Sequence, residues 1–329
     1  RNHRTTSQWQ CTDYGAVILQ LIMQGDNPYN YQGVNYVQEL INWINEPGND
    51  GMGGWANPIF AALALRAAAA DVSQITNSNN TYEKMVAYCR GRIQPTAANV
   101  EYGPDMSGWA MTVLANELDQ DNDGHVDDPN NPLLKELEAF FAYLRQTDDD
   151  HTWISNGKYA ALFEGAKGKA ADGYDVTLSA GCIVSGLMAL KAAGVEGCDI
   201  TSDDSAWKVT VGGQKVGIMD TLYKIHFAET APRYGQIPME FGDAFYGDSI
   251  WRRCAVTPAK LEQLIHEAQT VDRTQYTEAS VRALETALAK VQEQSGDLAY
   301  GEAYFALQDA LKGLMEKQSV TLSIYGDAV

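Results

Sequence analysis

The first three quarters of the chain alternate two kinds of helical segment, and this alternation restricts the fold more than any other feature. Segments such as 109–118 are apolar on nearly every side, whereas segments such as 133–144 are apolar on one face only. A helix that is apolar all round must be buried, and an amphipathic helix can cover it. We therefore predict an all-α fold of helical hairpins, each pairing an inner helix with an outer one. The predicted inner helices are 14–23, 55–65, 109–118, 177–190 and 244–251, and the predicted outer helices are 36–44, 82–89, 133–144 and 218–225.

The charge and hydropathy of the chain argue against several classes of partner. The 329 residues carry a formal net charge of −19, which disfavours nucleic acid and anionic membrane surfaces because both need basic patches on the protein. A hydrophobic content of 45% is enough for a buried core. The sequence has no run of about 18 apolar residues, so we expect no transmembrane segment.

From residue 257 the pattern changes to three amphipathic helices, predicted at 258–268, 277–291 and 299–314. Their apolar residues follow the i, i+3, i+4 spacing that is typical of a small three-helix bundle. Residues 320–329 then alternate apolar and polar side chains, which predicts the first strand of a further β-type module or a tail. The predicted domains are therefore 1–256, 257–317 and 318–329, and we expect neighbouring modules of the same longer chain.

Residues 119–130 place an acidic residue at every second position and then a glycine, Gly124. In EF-hand-type calcium loops, positions 1, 3 and 5 supply side-chain oxygens, position 6 is glycine and position 7 supplies a backbone carbonyl. Asn130 stands where a bidentate Glu is usual, so Asp127, Asp128 or Asn130 has to complete the shell. We predict a Ca²⁺ site of roughly 10⁻⁴–10⁻³ M affinity, which is typical of extracellular modules. The predicted ligands are Asp119, Asp121, Asp123, His125, Asp127 and Asp128.

Three stretches carry a resemblance to a known superfamily: residues 106–111 with the acidic loop that follows, 179–195 and 202–225. With the alternating hairpins, they resemble the α/α-toroid of the terpenoid-cyclase and prenyltransferase superfamily, in the version found in Gram-positive surface proteins. The resemblance covers about three quarters of the chain and implies concentric rings of inner and outer helices. The sequence shows fewer helical hairpins than are needed to close such a ring. Either the toroid is incomplete or its first hairpins lie before Arg1.

Residues 272–280 and 306–314 carry a second resemblance. They are similar to the FIVAR domain, a three-helix spacer module of bacterial cell-wall and surface proteins. This resemblance implies a linking role without catalysis. Together with a weak calcium loop, it implies a secreted or cell-wall-attached bacterial protein.

Aromatic residues near the ends of the predicted inner helices leave a binding function open. Their flat faces could rim one mouth of the toroid and stack on sugars or on a flat cofactor. The alternative is that they pack in the core. We expect the ligand to be a carbohydrate or a small hydrophobic molecule. The candidate ligand rim consists of Trp55, Trp109, Tyr174, Asp175, Phe245, Tyr246 and Trp251.

The acids at 148–150 come nearest to the proton-donating motif of the cyclases that the toroid resembles. Their spacing departs from that motif because it would need an acid at His151 or at Thr147, and a solvated loop is the simpler interpretation. A zinc site is not supported, since Cys182 has no Asp or His at matching positions. We therefore predict no catalytic residue and a non-catalytic, calcium-stabilised ligand-binding or presentation module. The alternatives are an isoprenoid-type cyclase or lyase that uses a cavity carboxylate, a cobalamin-type carrier domain and a purely architectural stalk.

The five cysteines are spread along the chain without a CxxC motif, and their odd number leaves at least one unpaired. Cys182 lies in an apolar segment, where a free thiol behaves as a small hydrophobe. We expect buried, reduced thiols, with a Cys182–Cys198 disulfide as the alternative.

Overall fold

The structure is a computed structural model that describes residues 9–96, 99, 104–145, 176–211, 213–219, 254–293 and 299–317. Within these residues the chain forms ten α-helices and one short β-hairpin, which confirms a mostly helical, all-α chain. None of the described helices is long and apolar enough to cross a membrane. The helices are α1 (Cys11–Gln24), α2 (Tyr36–Asn45), α3 (Asn57–Ala67), α4 (Tyr82–Arg92), α5 (Pro104–Leu118), α6 (Pro132–Leu144), α7 (Val176–Ala192), α8 (Pro258–Thr270), α9 (Glu278–Glu293) and α10 (Gly301–Lys312), and the strands are β1 (Lys208–Val211) and β2 (Gln214–Gly217).

Helices α1, α3, α5 and α7 occupy four of the five predicted inner segments, and each contacts the next one along the chain. Helix α2 packs against α1 and α3, and α4 packs against α3 and α5. In α3 the consecutive residues Ala61 to Leu65 are all buried, as expected for a helix that is covered on every side. The predicted inner helix 244–251 and residues 220–225 lie outside the described residues, and closure of the hairpins into a ring stays a prediction.

Two glycines allow α5 and α7 to pack closely, and this helix pair makes the most extensive contact of the structure. A Cβ on Gly108 would lie 2.2 Å from the carbonyl carbon and oxygen of Cys182. A Cβ on Gly186 would lie 2.5 Å from the carbonyl oxygen of Gly108 and 2.7 Å from side-chain atoms of Met111. Gly108 lies beside Cys182, and Met111, further along α5, lies beside Gly186, further along α7. The two helices therefore run in the same direction.

The β-hairpin lies where the alternation predicts only a turn before an outer helix. Its strands pair antiparallel, with Lys208 opposite Gly217 and Val211 opposite Gln214. Gly213 in the turn has φ +82°, a left-handed conformation that favours glycine. Sequence 208–217 therefore folds locally as strand–turn–strand, and the chain returns to helix at 218–219.

The three C-terminal helices α8, α9 and α10 form a bundle with its own apolar core. Thr257 begins α8 by accepting the backbone N–H of Lys260, with Pro258 at the first helical position. The bundle also contacts the N-terminal helices directly, because Tyr300 and Phe305 of its last helix belong to the larger core. The core of the bundle consists of Leu264, Ala268, Leu284, Ala287, Leu288, Val291, Ala303 and Leu307.

The cysteines are free thiols, as expected, and the structure contains no Cys182–Cys198 disulfide. Cys11, Cys89, Cys182 and Cys198 are buried, and Cys254 is half-buried. Burial raises the pKa of the Cys198 thiol to about 12. This thiol is therefore protonated at neutral pH and packs as a small apolar group.

Candidate metal centre

The acidic loop connects α5 to α6 and is folded around one buried carboxylate. Asp119 directly follows α5 and is only 2% exposed. Its two carboxylate oxygens accept the backbone N–H groups of Asp123 at 3.0 Å and of Gly124 at 3.1 Å. Asn131 ends the loop and caps α6 by accepting the backbone N–H of Leu133 at 3.0 Å. The loop is thus anchored to a helix at each end.

Three carboxylates converge in this loop, those of Asp119, Asp121 and Asp127. One oxygen from each lies within 4.8 Å of the others. Asp127 is held there by two contacts: its backbone N–H donates to Leu118 O at 2.8 Å, and its carboxylate accepts the backbone N–H of Gln120 at 2.9 Å. Within the described part of the chain, this is the one group of acidic, histidine or cysteine side chains with a metal-binding arrangement.

The other predicted ligands lie in the loop but outside this cluster. The carboxylate of Asp123 accepts the backbone N–H of His125 at 2.8 Å and lies 3.3 Å from the imidazole Nδ1 of His125. The carboxylate of Asp128 accepts the backbone N–H of Asn130 at 2.9 Å. The imidazole of His125 is 84% exposed and does not belong to the cluster. The structure therefore brings Asp127 to the cluster and leaves Asp128 outside it.

The loop backbone needs residues that tolerate the left-handed conformation. Asn122 has φ +61° and Gly124 has φ +89°, and Asn and Gly are the residues that adopt this region most readily. Beside the turn, Val126 packs against the core while its neighbours Asp127 and Asp128 are exposed. The glycine that the sequence pattern requires therefore lies where the backbone turns.

Two residues far from the loop in sequence support its shape. The guanidinium of Arg66, on α3, donates to Gln120 O at 2.9 Å. Gly194, in the turn after α7, approaches so closely that a Cβ on it would lie 2.7 Å from Gly124 O. Sequence reasoning missed both, because the loop pattern is local and gives no sign of which distant segments touch it.

The donors of the cluster fit a hard divalent cation. They are carboxylate oxygens, which Ca²⁺ and Mg²⁺ prefer, and the cluster includes neither a thiol nor an imidazole. Two of the three acids, Asp121 and Asp127, are exposed and so accessible to an ion from solvent. Three like charges at this separation repel one another, and a bound cation would relieve that repulsion.

The predicted ligand rim is described at only two positions, Trp55 and Trp109. Trp55 is 74% exposed and begins no helix, because it ends a run of left-handed residues at 51–55 that includes Met52. Trp109 lies on α5 and packs edge-on against Phe60 of α3, with ring centroids 5.4 Å apart. No ring contact joins Trp55 to Trp109 in the described structure. Outside the described residues lie Tyr174, Asp175, Phe245, Tyr246 and Trp251.

The loop that carries Trp55 contains two non-glycine residues in the left-handed region. Non-glycine residues in the left-handed region cost about 1–3 kcal/mol each, and here Met52 has φ +53° and Trp55 has φ +57°. Met52 is 2% exposed, so its side chain anchors the loop in the core. Tyr88 of α4 forms a hydrogen bond to the Trp55 backbone. The loop thus holds an exposed indole on an anchored backbone.

The acidic stretch 148–150 and His151, the nearest approach to a cyclase motif, lie outside the described residues. Among the residues that the structure describes, Asp119 is the one buried carboxylate, and it accepts loop amides. Comparison of the chain with protein-family models, with curated proteins and with solved structures finds no match.

Proposed function

We propose that this chain is a non-catalytic, calcium-stabilised ligand-binding or presentation module of a secreted or cell-wall-attached bacterial protein. In this proposal, residues 1–256 form an α/α-toroid and residues 257–317 form a FIVAR-like spacer. The observation that carries the proposal is the convergence of Asp119, Asp121 and Asp127 within 4.8 Å in a loop of calcium-binding sequence pattern. The toroid and spacer assignments rest on the sequence resemblances.

The cation would have a structural role. Asp119 directly follows α5, and Asp127 lies four residues before the Asn131 cap of α6. An ion held by both carboxylates would join the two ends of the loop and fix the α5–α6 hairpin. Because the loop also contacts Arg66 and Gly194, the ion would stabilise the positions of α3 and α7 as well. The free energy of ion binding would then add to the free energy of unfolding.

The ligand-binding part of the proposal is supported by Trp55. A tryptophan that is 74% exposed on a strained, anchored loop offers a flat apolar face to a partner molecule. A cyclase, the main alternative, needs a buried acid that faces an apolar cavity. The buried acid among the described residues, Asp119, instead accepts two backbone N–H groups of its own loop.

The proposal is tested by thermal unfolding of the native chain in EDTA and in increasing calcium, with magnesium as a second cation. We expect a saturable rise in Tm with calcium, since a ligand at about 100 times its Kd adds about 2.7 kcal/mol to the free energy of unfolding. Asp121→Ala should lose this calcium-dependent rise and leave the Tm in EDTA almost unchanged. A calcium-independent Tm of the native chain would overturn the proposal.

Asp128→Ala is the matched control. It removes the same charge from the same loop, but Asp128 lies outside the cluster and accepts only the backbone N–H of Asn130. This variant should keep the calcium-dependent rise in Tm, even if its Tm is lower in both conditions. If Asp128→Ala loses the rise while Asp127→Ala keeps it, the closing ligand is Asp128 and the geometry assigned to the cluster is wrong.

A further inference from the structure

A cleft of about 590 Å³ lies between α6, the turn 194–197 and the end of the acidic loop. This volume is in the range of small-molecule sites. Its apolar lining includes Val126 from the loop, Leu134 and Phe141 from α6, and Val195 from the turn. The cleft is distinct from the carboxylate cluster and from the Trp55 loop. Its lining includes no residue of either.

Arg145 borders this cleft, and its guanidinium lies over the ring of Trp207. Its Cζ lies 5.1 Å from the centroid of the Trp207 ring. No carboxylate of the described residues forms an ion pair with it. A guanidinium in a cation–π contact with an aromatic face can still donate its N–H groups to a planar oxyanion.

Trp207, over which Arg145 lies, is held in place by its neighbours. Trp207 is fully buried, and its indole N–H donates to Gly197 O at 2.7 Å. The Phe141 ring packs edge-on against the indole at 5.6 Å between centroids. Since Phe141 and Gly197 also line the cleft, the groups that hold Trp207 are the walls of the site. Arg145 is therefore preorganised beside an apolar cavity, which lowers the entropy lost when a ligand binds.

The other charges at the cleft restrict the ligand to a single negative charge. Glu138 and Glu196 line the cleft and are exposed, and the whole chain carries a charge of −19. These charges repel a phosphate dianion more strongly than a monoanion. Lys135, the second cation of the lining, is ten residues before Arg145 on the same helix, about 15 Å along its axis, too far to join Arg145 on one small group.

We propose that this cleft binds a small monocarboxylate with an apolar body, with Arg145 pairing to the carboxylate and Phe141, Leu134 and Val195 covering the apolar part. The carboxylate belongs either to a free organic acid or to the C-terminus of a peptide. The site goes beyond the proposed calcium role and does not require the ion.

The test is calorimetric titration of the native chain, in EDTA and again in calcium, with phenyl phosphate as a dianionic control and with four carboxylate probes. These are octanoate, 4-phenylbutyrate, N-acetylphenylalanine and the peptide acetyl-Ala-Ala-Ala-Phe with a free C-terminus; the last two are compared with their neutral amides. We expect saturable binding of carboxylates in both buffers and weaker binding of the amides, by about tenfold or more. Binding of the peptide or of the free acids identifies the source of the carboxylate.

The variants separate Arg145 from a general apolar effect. Arg145→Met keeps an unbranched apolar side chain over Trp207 and should weaken carboxylate binding to the level of the amides. Arg145→Lys keeps the charge but loses the planar guanidinium, so this variant should bind carboxylates with intermediate affinity. Arg282→Met is the control, because Arg282 lies exposed on α9 and pairs with Glu278 at 3.2 Å. Thermal unfolding without ligand checks that each variant is folded.

Three results would overturn the proposal: no saturable binding of any carboxylate at millimolar concentration, equal binding of the acids and their amides, or tighter binding of phenyl phosphate. The affinities of the native chain for the acids and for their neutral amides decide the question even if Arg145→Met fails to fold. Because the titrations are also done in EDTA, a failed calcium proposal leaves this test intact.

Discussion

Gly194 and Gly197 offer a matched pair at the edge of the acidic loop. Both have φ +78°, so an alanine at either position meets the same unfavourable backbone conformation. They differ in their surroundings. A Cβ on Gly194 would lie 2.7 Å from Gly124 O and 3.1 Å from the His125 Cα, whereas a Cβ on Gly197 would have nothing within 4 Å.

We expect Gly197→Ala to lower the free energy of unfolding by roughly 1–2 kcal/mol, the cost of the left-handed conformation. Gly194→Ala should cost about 1–3 kcal/mol more, because the new methyl group overlaps the loop backbone. Denaturant unfolding of both variants in EDTA measures the difference. If the cation is held as proposed, Gly194→Ala also weakens the calcium-dependent rise in Tm, and Gly197→Ala does not.

Equal losses in the two variants would show that the turn moves away from the loop at little cost. The close contact between Gly194 and Gly124 would then have no part in stabilising the loop.

The residues of the candidate metal centre differ in how far sequence could predict them. The positions of Asp119 and Asp121 follow from a local pattern, because a turn of fixed shape needs acids and glycine at fixed spacing. The choice of Asp127 over Asp128 does not follow from it. That choice depends on which way each side chain points, and the structure turns Asp128 back to the Asn130 N–H.

The α5–α7 pair is the clearest case at the scale of elements. Close approach of two helix backbones requires residues without a side chain at the crossing, and Gly108 and Gly186 are in these positions. Elsewhere in a helix a glycine weakens it, since alanine is preferred by about 1 kcal/mol. Gly91, near the end of α4, is such a glycine, because a Cβ there would have nothing within 4 Å.

Gly108→Ala should therefore destabilise the chain although alanine is the better helix former. A Cβ that would lie 2.2 Å from the Cys182 carbonyl forces the two helices apart, at a cost of about 1–3 kcal/mol or more. Gly91→Ala should stabilise the chain by about 0.5–1 kcal/mol. Chemical denaturation of both variants checks the sign of each change. A neutral or stabilising Gly108→Ala would mean that the packing of α5 on α7 is looser than described.

Helices were easier to predict than their ends and the turns between them. Periodicity locates α3, but the helix begins at Asn57 and not at Trp55, because the backbone of 51–55 is left-handed.

The β-hairpin was missed although its signal is present. Val209, Thr210 and Val211 favour a strand, and Gly212-Gly213 is a typical hairpin turn. The alternation of helices outweighed this local signal.

At the scale of the whole molecule, the C-terminal bundle is held against the N-terminal helices by specific contacts. The backbone N–H of Gly301 donates to Ala69 O at 2.9 Å, and the Tyr29 hydroxyl donates to Ala68 O at 3.1 Å. The side-chain amide of Asn27 donates to a carboxylate oxygen of Asp309 at 2.6 Å. Sequence patterns predict the bundle but not its docking, because periodicity identifies the apolar face of a helix and not the partner that covers it.

Gly301 lies at the centre of this docking, at the first position of α10. A Cβ there would lie 1.8 Å from Ala68 O and 2.6 Å from the Tyr29 hydroxyl, so no side chain fits without separating the two parts. We therefore expect the bundle to unfold together with the N-terminal helices in the native chain.

Gly301→Ala should therefore undock the bundle without unfolding it, since the core around Leu264, Leu284 and Leu307 is separate from the contact. In calorimetry we expect the native chain to unfold in one transition and the variant in two, with the bundle melting first. Small-angle scattering should show a larger radius of gyration for the variant. Glu302→Ala, at an exposed neighbour on the same helix, is the control and should keep one transition. A single transition at an unchanged Tm in Gly301→Ala would mean that a methyl group fits at this position and that the contact at Gly301 does not hold the bundle in place.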